Sequence, residues 1–263
     1  MTLSKMGVDL VDNFLNYLLH HDVCPEYTHD ILRAKDVCTQ ALKQIPKTVG
    51  LWKQVPGDFN TAARVLYCQG LQHSRHNAMT PVQAKRIFVT TLATMDNAGK
   101  FSQPMSVIST VEQAFEIEQL CIPSDDLAKF YRGVKDSSGT RGNIEPCGRV
   151  ILKPVTIRDG WDIDMDAGPA KGINSQETFM LEEKIIRNLV VGMKLKLVIC
   201  TLTLGLKFIQ EFKQILPTYY TFLPQELMLN YKEPVPDDRQ APSIDDTEAE
   251  VVETRADLGL IQH

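Results

Sequence analysis

The chain of 263 residues is 43% hydrophobic and 23% charged, with a formal net charge of −5; that balance supports one large folded domain or two small ones and excludes a fibrous or wholly disordered chain. Glu233 to His263 holds nine acidic and two basic residues, so this segment carries the whole negative excess and leaves the residues before it nearly neutral. A nearly neutral body does not grip nucleic acid through its own field, because neutralising phosphates takes clustered Lys and Arg.

Near the N-terminus, Asp9, Asp12 and Asn13 interrupt any apolar run, which argues against a secretory signal. The longest uncharged apolar run, Leu197 to Leu206, is far shorter than a membrane span and reads as core. Six cysteines without a CxxC pair read as reduced thiols, and a nuclear or cytoplasmic location is expected.

Val8, Val11, Phe14, Leu15 and Leu18 form an apolar stripe and predict a helix over about 8–20. The block HHDVCPEY follows at His20 to Tyr27. Pro25 suits a first helical position, with Cys24 as the cap, and Ile31, Ala34, Cys38, Leu42 and Ile45 mark a helix ended by Pro46. These two helices are expected to pair as an antiparallel hairpin. A second corner is Pro56-Gly57-Asp58-Phe59-Asn60, where the Asp58 carboxylate is expected to accept from the first N–H groups of a third helix carrying Phe59, Ala62, Ala63, Leu66 and Gly70.

Thr80-Pro81-Val82-Gln83 has the form of a capping box opening a fourth helix with Phe88, Leu92 and Met95. Ile108, Val111 and Phe115 suggest a fifth helix, and Ser124-Asp125-Asp126 starts another with Leu127 and Phe130. The residues from Asp136 to Gly148 are loop by composition. Beyond them Val150, Leu152, Val155 and Ile157 read as a strand interrupted by Pro154, and Trp161, Ile163 and Met165 alternate with Asp162, Asp164 and Asp166. Leu181, Ile185, Ile186 and Leu189 suggest a short helix, Met193 to Ile199 a strand, and Phe208, Ile209, Phe212 and Ile215 a helix ended by Pro217. The fold class expected is α+β: a helical N-terminal half packed on or next to a small mixed or antiparallel sheet with helices in the C-terminal half. The expected divisions are a helical region over 1–135, a linker over 136–148, an α+β region over 149–232 and an acidic disordered tail over 233–263.

The strings LLHHDVCPEYTHDILRAKDVC and PGDFN, with GMKLKLVICTL from Gly192 and YYTFLPQELML from Tyr219, resemble the Arb family of fungal Argonaute siRNA chaperone complex subunits. The resemblance runs discontinuously from about Val11 to Lys232. It implies a non-catalytic subunit with two partners, Argonaute loaded with duplex small RNA and a second Arb subunit, the small interfering RNA being met indirectly. It further implies restraint of slicing and passenger-strand release, a role in RNA-directed heterochromatin formation, and residence in nucleus and cytoplasm.

For partner binding the two corners supply His20, His21, Asp22, Glu26, Tyr27, Asp58 and Phe59, since binding residues favour loops on rigid scaffolds. Lys194, Lys196 and Lys207, near Tyr219 and Tyr220, are candidates for direct RNA contact, against the plainer reading of lysines on a solvent-facing edge strand. An alternative function is therefore a protein that itself binds double-stranded small RNA. A weaker one is a metal-dependent hydrolase using the histidine and aspartate clusters. His20, His21, Cys24 and His29 lack the spacing of a zinc finger, and Asp162, Asp164 and Asp166 lack the glycine and glutamate of a calcium loop. No GxSxG, GxxxxGK[ST] or HExxH string occurs, so no metal, cofactor or catalytic residue is assigned.

Overall fold

The computed structural model describes residues 3–68, 79–95, 105–134, 144–157 and 176–221. Six helices and five strands follow in the order α1 (Leu3–His20), α2 (Thr28–Trp52), α3 (Asp58–Tyr67), α4 (Pro81–Leu92), β1 (Val107–Cys121), α5 (Asp125–Gly133), β2 (Cys147–Pro154), β3 (Glu177–Glu182), α6 (Glu183–Ile186), β4 (Lys194–Leu202) and β5 (Lys207–Leu216). The expected α+β class holds, with helices gathered at the N-terminal side and the sheet toward the C-terminal side. Among the described residues no helix is long and apolar enough to cross a membrane. Residues 161–166, Gly70, the loop over 97–104 and the acidic tail lie outside the described residues.

All strand pairs are antiparallel, in the order β3-β2-β1-β4-β5. β1 is the long central strand: its residues Val107–Glu116 pair with β4 and Phe115–Cys121 with β2. The sheet curls until its two edge strands, β3 and β5, touch. Lys207 and Glu177 form an ion pair across one end of that seam. Read around the curl the order is 1-2-3-5-4-1, with α6 lying between β3 and β4. This is the topology of the OB-type barrel, a five-stranded, partly open Greek-key barrel.

The barrel encloses one core, in which Phe115, Ile117, Val150, Leu152, Phe179, Leu181, Leu195 and Leu197 point inward. The α6 turn closes it with Ile185, Ile186 and Leu189, and Leu51 from the end of α2 joins them. A second core lies outside the barrel. There Phe59, Ala62 and Ala63 of α3 and Ala84 and Phe88 of α4 cover Met180, Cys200 and Phe208, and Phe59 stacks on Phe88 with ring centroids 5.6 Å apart. The alanines let α3 lie close to the strands. Burial of each large side chain here is worth about 1.5–3 kcal/mol.

Several elements differ from the sequence reading. The expected fifth helix at Ile108–Phe115 is β1, and the expected helix at Phe208–Ile215 is β5. Leu181 belongs to β3, and the short helix begins only at Glu183. Pro25 opens a single 3-10 turn, Pro25–Tyr27, and Cys24 makes no side-chain capping bond. α2 starts at Thr28 and continues through Pro46. The missing hydrogen bond there is tolerated because contacts on both sides hold the helix: Gln44 bonds Thr218, and Leu51 is fully buried. In α5, Ser124 caps the Leu127 amide as expected, but Ala128 and Tyr131 face the core while Phe130 is exposed. The capping box of α4 is present with both of its reciprocal bonds.

Candidate functional site

The two corners singled out in the sequence have different fates. At the first, α1 ends at His20, and Asp22 adopts a positive φ of 48°. The His21 amide makes a last helical bond to the Tyr17 carbonyl at 3.0 Å, and the Val23 amide bonds back to the Leu18 carbonyl at 3.2 Å, the six-to-one closure of a helix C-terminus. His20 and His21 are exposed, and the His21 ring leans on Tyr17 at 4.3 Å between centroids. Glu26 and Tyr27 are half-buried, and Tyr27 packs on the small core of the hairpin formed by Leu15, Ile31 and Cys38.

The hairpin itself is the larger surface. Asp12 and Asn16 of α1 both bind the Lys35 ammonium of α2, with the Asp12 contact at 3.0 Å. Among the described residues α1 makes no comparable contact with any other element. Val8, Leu15 and Leu18 face α2, but Val11 and Phe14, expected in the same stripe, point outward. Met6, Leu10, Phe14 and Tyr17 recur at helical spacing on that outer face, and Leu10 is 71% exposed. The apolar band of α1 is thus wider than the stripe that a single neighbouring helix covers. Reading a single stripe missed this; the signal was an apolar band wider than α2 covers, set beside the polar face of Lys5, Asp9, Asp12, Asn13 and Asn16.

The second corner is interior. The Val55–Pro56 peptide is cis, and Gly57 occupies the N-cap of α3 at φ +90°. Asp58 therefore sits inside the first turn and does not cap it. Its carboxylate is 3.6 Å from the Lys184 ammonium. The cap comes from a distant residue: Glu182 Oε1 accepts from the Phe59 amide at 2.6 Å. A Cβ on Gly57 would overlap Glu182 Oε2 and lie 2.9 Å from Ile185 Cδ1, so only glycine admits the carboxylate. Glu182 is buried, and loss of hydration raises its pKa to about 7 against the lowering effect of the Phe59 amide. The same burial, with the Glu182 carboxylate nearby, pushes the Cys147 thiol far up.

Asn60 completes the corner. Its Nδ2 donates to the carbonyls of Pro56 at 3.0 Å and Met180 at 3.1 Å, and its Oδ1 accepts from the Ile209 amide at 2.9 Å. Met180 is on β3 and Ile209 on β5, so one side chain bridges the edges of the barrel seam. Phe59 is fully buried and Asn60 nearly so. Of the residues chosen here for partner contact, only Asp58 reaches solvent; Phe59 is committed to the core.

The three lysines do not gather into a free strip. Lys196 pairs with Glu112 at 3.1 Å, Lys207 pairs with Glu177, and Lys194 is half-buried at the start of β4. Among the described residues no group of three His, Cys, Asp or Glu side chains is placed to hold a metal ion.

The family model described as Argonaute siRNA chaperone (ARC) complex subunit Arb1 matches residues 1–234. The chain belongs to the Arb1 family. The match spans the hairpin, both corners and all five strands, so the barrel and its helical covering lie within the family's territory. No curated protein and no solved structure matches. Membership makes the chain one subunit of an Argonaute siRNA chaperone complex, and its partners are therefore Argonaute and the complex's other components.

Proposed function

We propose that this chain is a non-catalytic subunit that, with a second Arb subunit, holds an Argonaute loaded with duplex small RNA and restrains slicing and passenger-strand release. In this reading it serves RNA-directed heterochromatin formation in a fungal cell, in nucleus and cytoplasm. The observation that carries it is the family match over residues 1–234. The exposed apolar stripe of α1, with the HHDVCPEY corner at the end of its hairpin, supports it as a docking surface. A chaperone of this kind acts through a difference in affinity: it binds the duplex-loaded Argonaute more tightly than the state that has released its passenger strand, and so holds back the transition.

The test is co-purification of Argonaute and the second Arb subunit with the tagged chain, for the native sequence and for Glu26→Ala and Tyr27→Ala. Reduced capture, together with faster passenger-strand release, is the expected result. Unchanged capture in both variants with a lowered melting temperature in Tyr27→Ala makes the corner purely structural. Absence of Argonaute from the native capture overturns the reading altogether.

A further inference from the structure

The central strand β1 is longer than the neighbour on one of its sides. Toward β4 it is paired from Val107 to Glu116. Toward β2 the pairing stops at Ala114, whose carbonyl accepts from the Val155 amide at 3.0 Å. Successive residues of a strand turn their backbone groups to alternate sides, and no bulge intervenes between Thr110 and Ala114. The N–H and C=O of Thr110 and Glu112 therefore face the same side as the Ala114 carbonyl, and among the described residues nothing pairs with them there. Residues 108–112 are exposed, Ile108 by 62% and Val111 by 49%.

Sheet edges are ordinarily guarded by lysine, proline or an inward-pointing charge. Val107 to Gln113 contains no lysine and no proline, and Val107, Ile108, Thr110 and Val111 are β-branched residues that favour strands. Its one bulge, between Val107 and Ser109, lies at the far end. Its one acid, Glu112, lies on the face opposite to that of Phe115 and is already paired with Lys196. What fits a row of unpaired amides and carbonyls is extended backbone. The open stretch is only about 17 Å long. Two copies joined along it alone would fall short of the roughly 1,000 Å2 that a stable interface buries, so the edge suits a single segment of a larger partner. Val111 shares the inward face with Phe115 and sits between Thr110 and Glu112, at the position where antiparallel side chains come closest.

We propose that this open edge of β1, a site separate from the α1 stripe, takes up an extended segment of a partner protein as an additional antiparallel strand in line with β2, with an apolar β-branched or aromatic side chain set against Val111. The backbone supplies the affinity and the residue opposite Val111 the selection.

The full chain is panned against phage-displayed random peptides, and the enriched peptides are titrated by fluorescence anisotropy. Enrichment of short segments with β-branched or aromatic residues at alternate positions is expected. Methylating the peptide amides one at a time reads the pairing directly: affinity should fall about tenfold or more at every second residue and hold at those between. Hydrogen exchange at Thr110 and Glu112 should be fast in the free chain and slow with peptide, whereas Val111 and Gln113, paired with β4, are slow in both. Thr110→Pro removes a donor on the open side and leaves the β4 ladder intact, and Val111→Lys adds the missing guard; each should weaken binding about tenfold or more, with Leu10→Asp unaffected. If Thr110→Pro lowers the melting temperature, the methylated peptides on the native chain still decide. No enrichment, no two-residue alternation, or binding that survives both edge variants overturns the proposal. Slow exchange of the Thr110 and Glu112 amides in the free chain at low concentration assigns the edge to another part of the same chain. Slow exchange that appears only at high concentration assigns it to a second copy, and displacement of the peptides by duplex small RNA assigns it to nucleic acid; each of these results also overturns it.

Discussion

Glu182 at the end of β3 caps the Phe59 amide at the start of α3, a 2.6 Å hydrogen bond between residues 123 positions apart in the chain. This contact locks the helical layer to the barrel. Removing the carboxylate leaves a buried amide unsatisfied, and Glu182→Ala should cost about 2–4 kcal/mol. Asp58→Ala is the contrast. Its half-exposed ion pair with Lys184 is worth about 1 kcal/mol or less, so denaturant unfolding should separate the two variants clearly.

The same carboxylate makes stability depend on pH. Its folded pKa is raised from 4.5 to about 7, so between these values the native state holds a proton that the unfolded state has released. The contribution is fully present below the unfolded pKa and is lost as pH rises through about 7. Melting temperature should therefore be higher near pH 5 than near pH 8 by this term. Glu182→Gln keeps the acceptor for Phe59 but cannot ionise, and it should flatten the profile across that window.

What could be read in advance divides along the same line between local and distant causes. The capping box of α4, the hairpin of α1 and α2, and the alternation of β4 are written in adjacent residues, and each appears as expected. β5 was mistaken for a helix for a definite reason. Register shifts against Lys196/Leu197 and Val198/Ile199 leave Lys213 and Gln210 as extra residues, so the inward side chains Ile209, Phe212 and Ile215 fall three apart. That spacing imitates a helix. β1 misled similarly, because its N-terminal half is largely exposed and only Phe115 and Ile117 show the inward period of two. At the PGDFN corner the local chemistry suggested Asp58 as the cap. The carboxylate that does the capping arrives from residue 182, where no local pattern announces it. The outward stripe on α1 was visible as composition, but its direction depended on where α2 lies.

Gly57 should be irreplaceable. Alanine there meets both an unfavourable positive φ and the Glu182 carboxylate, and Gly57→Ala should destabilise by about 3 kcal/mol or more. Gly205 has a similar φ of +80° in open space, so Gly205→Ala should show the backbone term alone, about 1 kcal/mol. Equal losses in the two would mean that the carboxylate yields freely, contrary to a close-packed corner.

Asn60 bridges the barrel seam, and Asn60→Ala would leave the buried Ile209 amide and Met180 carbonyl without this partner. At about 1–3 kcal/mol for each buried group, the loss should approach the whole stability of a marginal domain. Hydrogen exchange gives the more specific readout. Exchange at Ile209 should accelerate well beyond that of the β1–β4 amides, because the defect opens the seam before it reaches the centre of the sheet. Uniform acceleration would show that the barrel opens as one unit and that the Asn60 bridge is not its weak point.

The outer face of α1 separates folding from function most cleanly. Leu10 is 71% exposed and packs against no described core. Leu10→Asp should therefore leave the melting temperature nearly unchanged, as surface substitutions usually shift stability by about 0.5 kcal/mol or less. Leu15, on the opposite face, is buried between α1 and α2. Leu15→Asp should unfold the hairpin and lower the melting temperature, whatever the partner. If the outer stripe is the docking face, Leu10→Asp and Phe14→Asp weaken capture of Argonaute or of the second Arb subunit by about tenfold or more, the loss typical when an apolar anchor in an interface is replaced by a charge. Full capture with both outer variants, set beside loss with Leu15→Asp, would show that the hairpin matters only as a folded unit and that the stripe faces neither protein.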